Sequence, residues 1–197
     1  MTVRIPELIL IAGLPGTGKS SLARALSGKL GIPLLDKDSV KEALADTLST
    51  PWCSEWSAEL GAAAEESVFR LAALQLKMRF DVIIDTPMMY SRSWDRLRDS
   101  LAEVDFKLHV IVCDCSDTDL RERLKLRAKN RHGIHRFRGQ DADRILLQRQ
   151  DFESLLREQE VSVLRIATNR PVNELLIQCE SFLDRTSAGK PVSRQAD

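Results

Sequence analysis

Leu8-Ile9-Leu10-Ile11-Ala12-Gly13-Leu14-Pro15-Gly16-Thr17-Gly18-Lys19-Ser20 is the stretch whose reading decides the fold. From Gly13 onward it matches the phosphate-binding pattern G-x-x-x-x-G-K-[ST] without a mismatch. The apolar run before it reads as a parallel strand buried on both faces. Beyond it, Leu22, Ala25, Leu26 and Leu30 fall on one helical face. Strand, glycine loop and helix is the context such a loop requires. The glycines let the backbone curl so that successive N–H groups point at phosphate oxygens, and the helix N-terminus adds the positive end of its dipole. Gly13, Leu14, Pro15, Gly16, Thr17, Gly18, Lys19, Ser20 and Ser21 are therefore the expected nucleotide-binding run. Lys19 is expected to reach the β- and γ-phosphates, and the Ser20 hydroxyl to ligate Mg²⁺.

The same alternation continues along the chain. A short strand at Pro33-Leu34-Leu35 follows Gly31, a plausible helix C-cap. Asp38 or Ser39 is expected to cap a helix beginning near Val40. A long helix is expected from about Glu55 to Lys77, with Leu60, Ala63, Ala64, Ser67, Val68, Leu71 and Leu74 on its packed face. Asp81-Val82-Ile83-Ile84-Asp85 reads as a strand ending in an acid. Ser91–Leu101 reads as a helix, Phe106–Cys113 as a strand, and Thr118–Lys129 as a charged helix. Asp141–Gln159 returns to helix, Val161–Ile166 is a last strand, and Val172–Leu183 a last helix. Five strands alternating with helices predict an α/β fold, a parallel sheet with helices on both faces. The domain is expected to span residues 1–186, with a short lid at about 128–140 and a polar, disordered tail at 187–197. Sites in such sheets lie beyond the carboxyl ends of the strands.

Composition excludes several classes. The chain has 197 residues, 43% hydrophobic and 29% charged, with Lys+Arg and Asp+Glu at 29 each, so no global field attracts nucleic acid or a membrane. The four cysteines, Cys53, Cys113, Cys115 and Cys179, fit neither a zinc site nor a disulfide framework. Reduced cysteines point to the cytoplasm. The first strand begins too near Met1 for a signal peptide. No apolar stretch is long enough to span a bilayer.

The loops after the strands carry the candidate chemistry. Asp85 closes a strand as a magnesium-holding acid does, though turn acids also occupy such places. Asp38 lies just beyond the second strand, where a carboxylate can take or orient an acceptor hydroxyl's proton. Asp36 is the alternative base or an outer partner of the magnesium site, and either acid can cap a helix. Lys41, one helical turn past Asp38, suits an anionic group or simple solvation. Arg123 and Arg127 share a helix face and can neutralise charge that builds during phosphoryl transfer. Leu120 and Leu124 face the sheet. His132, His135, Arg136, Phe137 and Arg138 form the one local basic patch, read as part of the lid rather than as a nucleic-acid grip. Trp52, Trp56, Met88, Met89 and Tyr90 offer apolar surface for an acceptor pocket, with core packing favoured for Trp56 and core or interface for Trp94. Thr168-Asn169-Arg170-Pro171 follows the last strand and would border an adenine.

The residues 13–20, Asp38-x-x-Lys41, Ile84-Asp85 and Arg123-x-x-x-Arg127, in this order, resemble the small P-loop kinases of the AAA_33 or zeta-toxin-like group. Polynucleotide kinase domains, chloramphenicol phosphotransferase and gluconate kinase belong to that group. The resemblance runs from about residue 7 to residue 183. It implies a P-loop NTPase fold, ATP and Mg²⁺ as cofactors, and transfer of the γ-phosphoryl group to a hydroxyl. Lys19, Asp38, Arg123 and Arg127 would be catalytic, and Ser20 and Asp85 would hold the metal. Lys41 stands where polynucleotide kinases carry an arginine, and lysine lacks the planar fork that grips a phosphate. A small-molecule acceptor is therefore the favoured partner. The alternatives are a 5′-hydroxyl polynucleotide kinase and a nucleotide-binding switch. No Asn-Lys-x-Asp guanine signature is present.

Overall fold

The apolar runs read from the sequence pair edge to edge as a five-stranded parallel sheet in the order β2-β3-β1-β4-β5. In this computed structural model the described residues are 4–48, 53–130, 132–135, 142–159 and 161–187. The strands are β1 (Glu7–Ala12), β2 (Leu34–Asp36), β3 (Val82–Asp85), β4 (Lys107–Asp114) and β5 (Val163–Ala167). The helices are α1 (Lys19–Leu30), α2 (Lys37–Thr47), α3 (Ser54–Lys77), α4 (Ser91–Leu101), α5 (Asp117–Asn130), α6 (Ala142–Glu158) and α7 (Val172–Ser187).

β1 is central, so its side chains are buried on both faces. Leu8, Leu10 and Ala12 join one core with Val68, Phe69, Trp94, Leu120 and Phe152 from α3, α4, α5 and α6. Ile9 and Ile11 join the other with Leu22, Leu26, Leu175 and Phe182 from α1 and α7. A smaller cluster of Ala45, Leu60 and Ile134 joins α2, α3 and the turn Gly133–His135. The α/β class, the five strands and the helices on both faces follow the sequence expectation. All four cysteines are free, and Cys113, Cys115 and Cys179 pack as small apolar side chains. Among the described residues no helix is long and apolar enough to cross a membrane.

Local details differ from the sequence reading. The second strand is Leu34–Asp36, and α2 begins at Lys37 rather than near Val40. Its cap is Asp36, whose carboxylate accepts from the N–H groups of Asp38 and Ser39 at 2.9 and 3.4 Å. Asp38 and Ser39 are already inside the first turn, so neither caps. The packed stripe of α3 contains Leu60, Ala64 and Val68 as expected, but Phe69, Ala72, Ala73 and Leu76 complete it. Leu71 and Leu74 are 45% and 58% exposed. A stripe drifts around a 3.6-residue helix, and the bulkiest candidate, Phe69, turns to the sheet. Trp94 is core, and its indole N–H donates to the Met88 carbonyl at 3.1 Å. Trp52, residues 136–141, and the tail beyond Ser187 lie outside the described residues.

This asymmetry on α3 is testable. Phe69→Ala should cost about 3–5 kcal/mol of unfolding free energy in urea, while the exposed Leu71→Ala should change it by about 0.5 kcal/mol or less.

Candidate active site

The loop between β1 and α1 is shaped by close backbone approaches. Gly13 has φ +135°, and a Cβ there would lie 2.4 Å from the Cys113 carbonyl oxygen. Gly18, at φ +90°, is the residue from which α1 departs, and a Cβ would press on the Thr168 side chain at 3.1 Å. Gly16 packs against Leu120 and Leu124 of α5, which places those leucines under the loop. Inside the turn the Leu14 carbonyl accepts from the Thr17 hydroxyl and from Lys19 Nζ, each at 2.8 Å. The Leu14 side chain is buried in the core, so only its backbone faces the loop interior.

Lys19 is 7% exposed and Asp85 is 4% exposed. Burial pushes the Lys19 ammonium's pKa down, and the nearby Asp85 charge pulls it back up. Burial pushes the Asp85 carboxyl up, opposed by Lys19 and by a hydrogen bond with the Ser20 hydroxyl. The register explains the meeting: Asp85 pairs with Ile11 across β3 and β1, two residues before the loop begins at Gly13. Lys19, Ser20 and Asp85 therefore form one cluster, as the motif spacing predicts. Ser21 is exposed on α1 and is not among the residues lining the cavity that opens from this cluster.

A cavity of about 420 Å³ opens from this cluster. Asp38, from the first turn of α2, lies on its wall and meets Arg127 of α5 at 3.2 Å and Lys37 at 3.5 Å. Asp36 also lines the cavity, but its carboxylate caps α2 and pairs with Arg24 at 3.5 Å. Lys41 is not solvated: it is 3% exposed and donates to the Ser57 hydroxyl at 2.8 Å. Met88, Met89 and Tyr90 line the cavity, and Met88 is fully buried at φ +54°. Trp56 is 38% exposed and is not on the cavity wall, so the core reading for it does not hold.

Arg123 and Arg127 part company. Arg127 faces Asp38, whereas Arg123 donates to the Thr168 hydroxyl and carbonyl at 2.7 and 2.9 Å. The Thr168 hydroxyl in turn donates to the Thr17 carbonyl at 2.7 Å. Arg123 thus braces the phosphate loop through Thr168 and does not line the cavity. His132 and His135 bond Asp46 and Glu42 at 3.0 and 2.9 Å. With Ile134 buried, this pins residues 132–135 onto α2. The two histidines of the basic patch are engaged in these contacts, and Arg136, Phe137 and Arg138 lie outside the described residues. Of the expected lid, 128–130 end α5 and 132–135 dock on α2.

Sequence reading missed a group on the cavity's other wall. Glu65 of α3 is 8% exposed, and each of its oxygens accepts from the Ser93 hydroxyl at 3.0 Å. It also accepts from Thr86 at 3.4 Å and Arg96 at 3.3 Å. A carboxylate next to Ala64 on the packed stripe of α3 was the signal available. Arg92 and Arg144, also on the wall, carried no signal, because surface arginines look the same in sequence.

A parallel sheet of this order, with this loop after its central strand, is the fold of the P-loop kinases. The chain belongs to the AAA_33 family, described as an AAA domain, whose model matches residues 8–164. Among solved structures, a provisionally assigned kinase of Chloroflexus aurantiacus J-10-fl is 25% identical, with a TM-score of 0.75 over 91% of this chain and 100% of its own. A gluconokinase of Sinorhizobium meliloti 1021 has a TM-score of 0.57 at 19% identity, covering 94% of this chain and 95% of its own. One 33-residue segment is 61% identical to the ATP-dependent zinc metalloprotease FtsH 1 of Symbiobacterium thermophilum, which is 17% of this chain and 6% of that protein. A likeness of that extent is local.

The buried thiols give a pH prediction. Burial raises Cys113 and Cys179 each from 9.0 to about 12. The folded state therefore holds these protons more tightly than the unfolded chain. Their contribution to stability is intact below pH 9 and is lost as pH rises from there toward 12. Urea unfolding should show this loss, and the Cys113→Ala/Cys179→Ala double variant should lose measurably less stability over the same interval.

Proposed function

We propose that the protein transfers the γ-phosphoryl group of ATP to a hydroxyl of a small-molecule acceptor. The observation that carries this is the meeting of Asp38 and Arg127 on one wall of the cavity that Lys19, Ser20 and Asp85 close at its other end. The cavity's volume of about 420 Å³ falls in the range of small-ligand sites, roughly 300–1,000 Å³.

The loop amides and Lys19 would hold the β- and γ-phosphates. Asp38 would accept the proton of the acceptor hydroxyl as its oxygen bonds to the γ-phosphorus. The bond from that phosphorus to the β–γ bridging oxygen breaks, and ADP leaves. Arg127 would stabilise charge on the transferring group, and its pairing with Asp38 keeps base and cation side by side. Arg123, bonded to Thr168 and lying beside Gly18, would act as a positioning residue for the loop. Ser20 and Asp85 fit Mg²⁺, because they are hard oxygen donors already in contact, and this ion takes most of its remaining ligands from water and phosphate. When bound there, Mg²⁺ would neutralise phosphate charge.

Lys19→Ala should abolish turnover, since it removes the cation aimed at the phosphates. Asp38→Asn should lower transfer by about 100-fold or more, the range of a general base, with ATP binding retained. Both are read as ADP release against a panel of sugars, nucleosides, aminoglycosides and 5′-hydroxyl oligonucleotides. Unchanged transfer in Asp38→Asn would leave that residue as the structural partner of Arg127 alone. Stimulation by oligonucleotides only, with steep salt dependence, would replace the small acceptor with a nucleic acid.

A further inference from the structure

The cavity wall carries seven lysines and arginines against four carboxylates. Each carboxylate already has its own positive partner. Asp85 lies by Lys19, Asp38 by Arg127 and Lys37, Asp36 by Arg24, and Glu65 by Arg96. Arg92, in the first turn of α4, and Arg144, in the first turn of α6, also line the cavity. Among the described residues neither has a carboxylate within ion-pair distance. Both stand near helix N-termini, where a cation is disfavoured by the dipole, so helix stability does not account for them.

Arg92 is oriented. Its guanidinium carbon sits 5.0 Å from the centre of the Tyr90 ring. Such stacking leaves the N–H edge of the fork available for a carboxylate or phosphate. Arg92 also marks the end of the cavity remote from the phosphate loop. With Met89, Tyr90 and Gln148, it is shared with a neighbouring shallower cavity that no residue of the loop lines. The charge of Arg92 is thus placed away from the phosphate loop, and Arg144 adds to it from α6 on the same cavity wall.

We infer that the acceptor is an anionic alcohol, carrying a carboxylate or phosphate group that Arg92 and Arg144 grip while its hydroxyl faces Asp38. This rests on the phosphotransferase reading above. Arg92 and Arg144 are both exposed, so a neutral alcohol would leave them to water, whereas an anionic one would gain their field and their N–H donors.

The test is phosphotransfer by the full chain to matched pairs. Gluconate and shikimate are set against their amides, and glucose 6-phosphate and a nucleoside 5′-monophosphate against glucose and the nucleoside. The expected result is a kcat/KM for a charged member about tenfold or more above its neutral mate, the scale of a charge-assisted bidentate contact. The carboxylate and phosphate arms distinguish which anion is read. Arg92→Gln and Arg144→Gln should raise KM for the charged acceptor and compress the ratio between mates, with the shift in the acceptor's KM rather than that of ATP. Equal transfer to charged and neutral mates, or an equal effect of both variants on the two, overturns the inference and leaves the phosphotransferase reading standing. Transfer to no alcohol at all, with ATP still bound, removes that reading and this inference together.

Discussion

A lysine ammonium held away from water is the constraint on which the rest of the site depends. Removing such an ion from water costs several kcal/mol unless fixed partners replace its hydration. Lys19 donates to the Leu14 carbonyl, and the nearby Asp85 charge also favours its ammonium form. The first partner requires the loop to fold back tightly on itself, which the backbone at Gly13 and Gly18 permits. The second requires β3 to lie directly beside β1, so that its last residue reaches the mouth of the loop. The strand order therefore follows the same demand as the loop: a different neighbour for β1 would leave the cation without its counter-charge.

The same logic extends outward. Asp36 ends β2 in register with Asp85 and starts α2 by capping it. That cap sets the first turn of α2 and so aims Asp38 at the cavity. Arg127 comes from α5, 89 residues further along the chain, and closes the wall. Leu120 and Leu124 of the same helix press on Gly16, so the position of α5 is tied to the conformation of the loop. Thr168 completes the frame by joining Arg123, Thr17 and Asp114. Nucleotide-binding loop, base and arginine are thus held by overlapping contacts, which is what phosphoryl transfer asks of a protein: positioning and a prearranged field rather than covalent chemistry.

The acceptor side is built differently. The α2–α3 contact carries Lys41 to Ser57, and Ile134 enters the small cluster with Ala45 and Leu60. His132 and His135 secure the turn after α5 to two acids of α2. Glu65, fixed by Ser93, Thr86 and Arg96, ties α3 to α4 behind the cavity. These contacts set the shape and charge of the chamber in which an acceptor would sit, while the phosphate end is set by the backbone.

What the residues alone determined was local in origin. The loop from Gly13 to Ser20, the alternation of apolar runs with helical stripes, and the acid closing β3 are short-range patterns, and each names its own backbone conformation. The approach of Asp85 to Lys19 followed from those patterns once β3 was known to lie beside β1. The cap of α2 was misplaced because Asp36, Asp38 and Ser39 are equivalent as caps until a strand end selects one. The division of labour between Arg123 and Arg127 was decided only by the tertiary structure, since helical spacing puts them on one face but cannot say that Thr168 stands before one and Asp38 before the other. Glu65, Arg92 and Arg144 belong to the cavity for the same reason: they come from three helices far apart in sequence, and only packing brings their charges to a common wall.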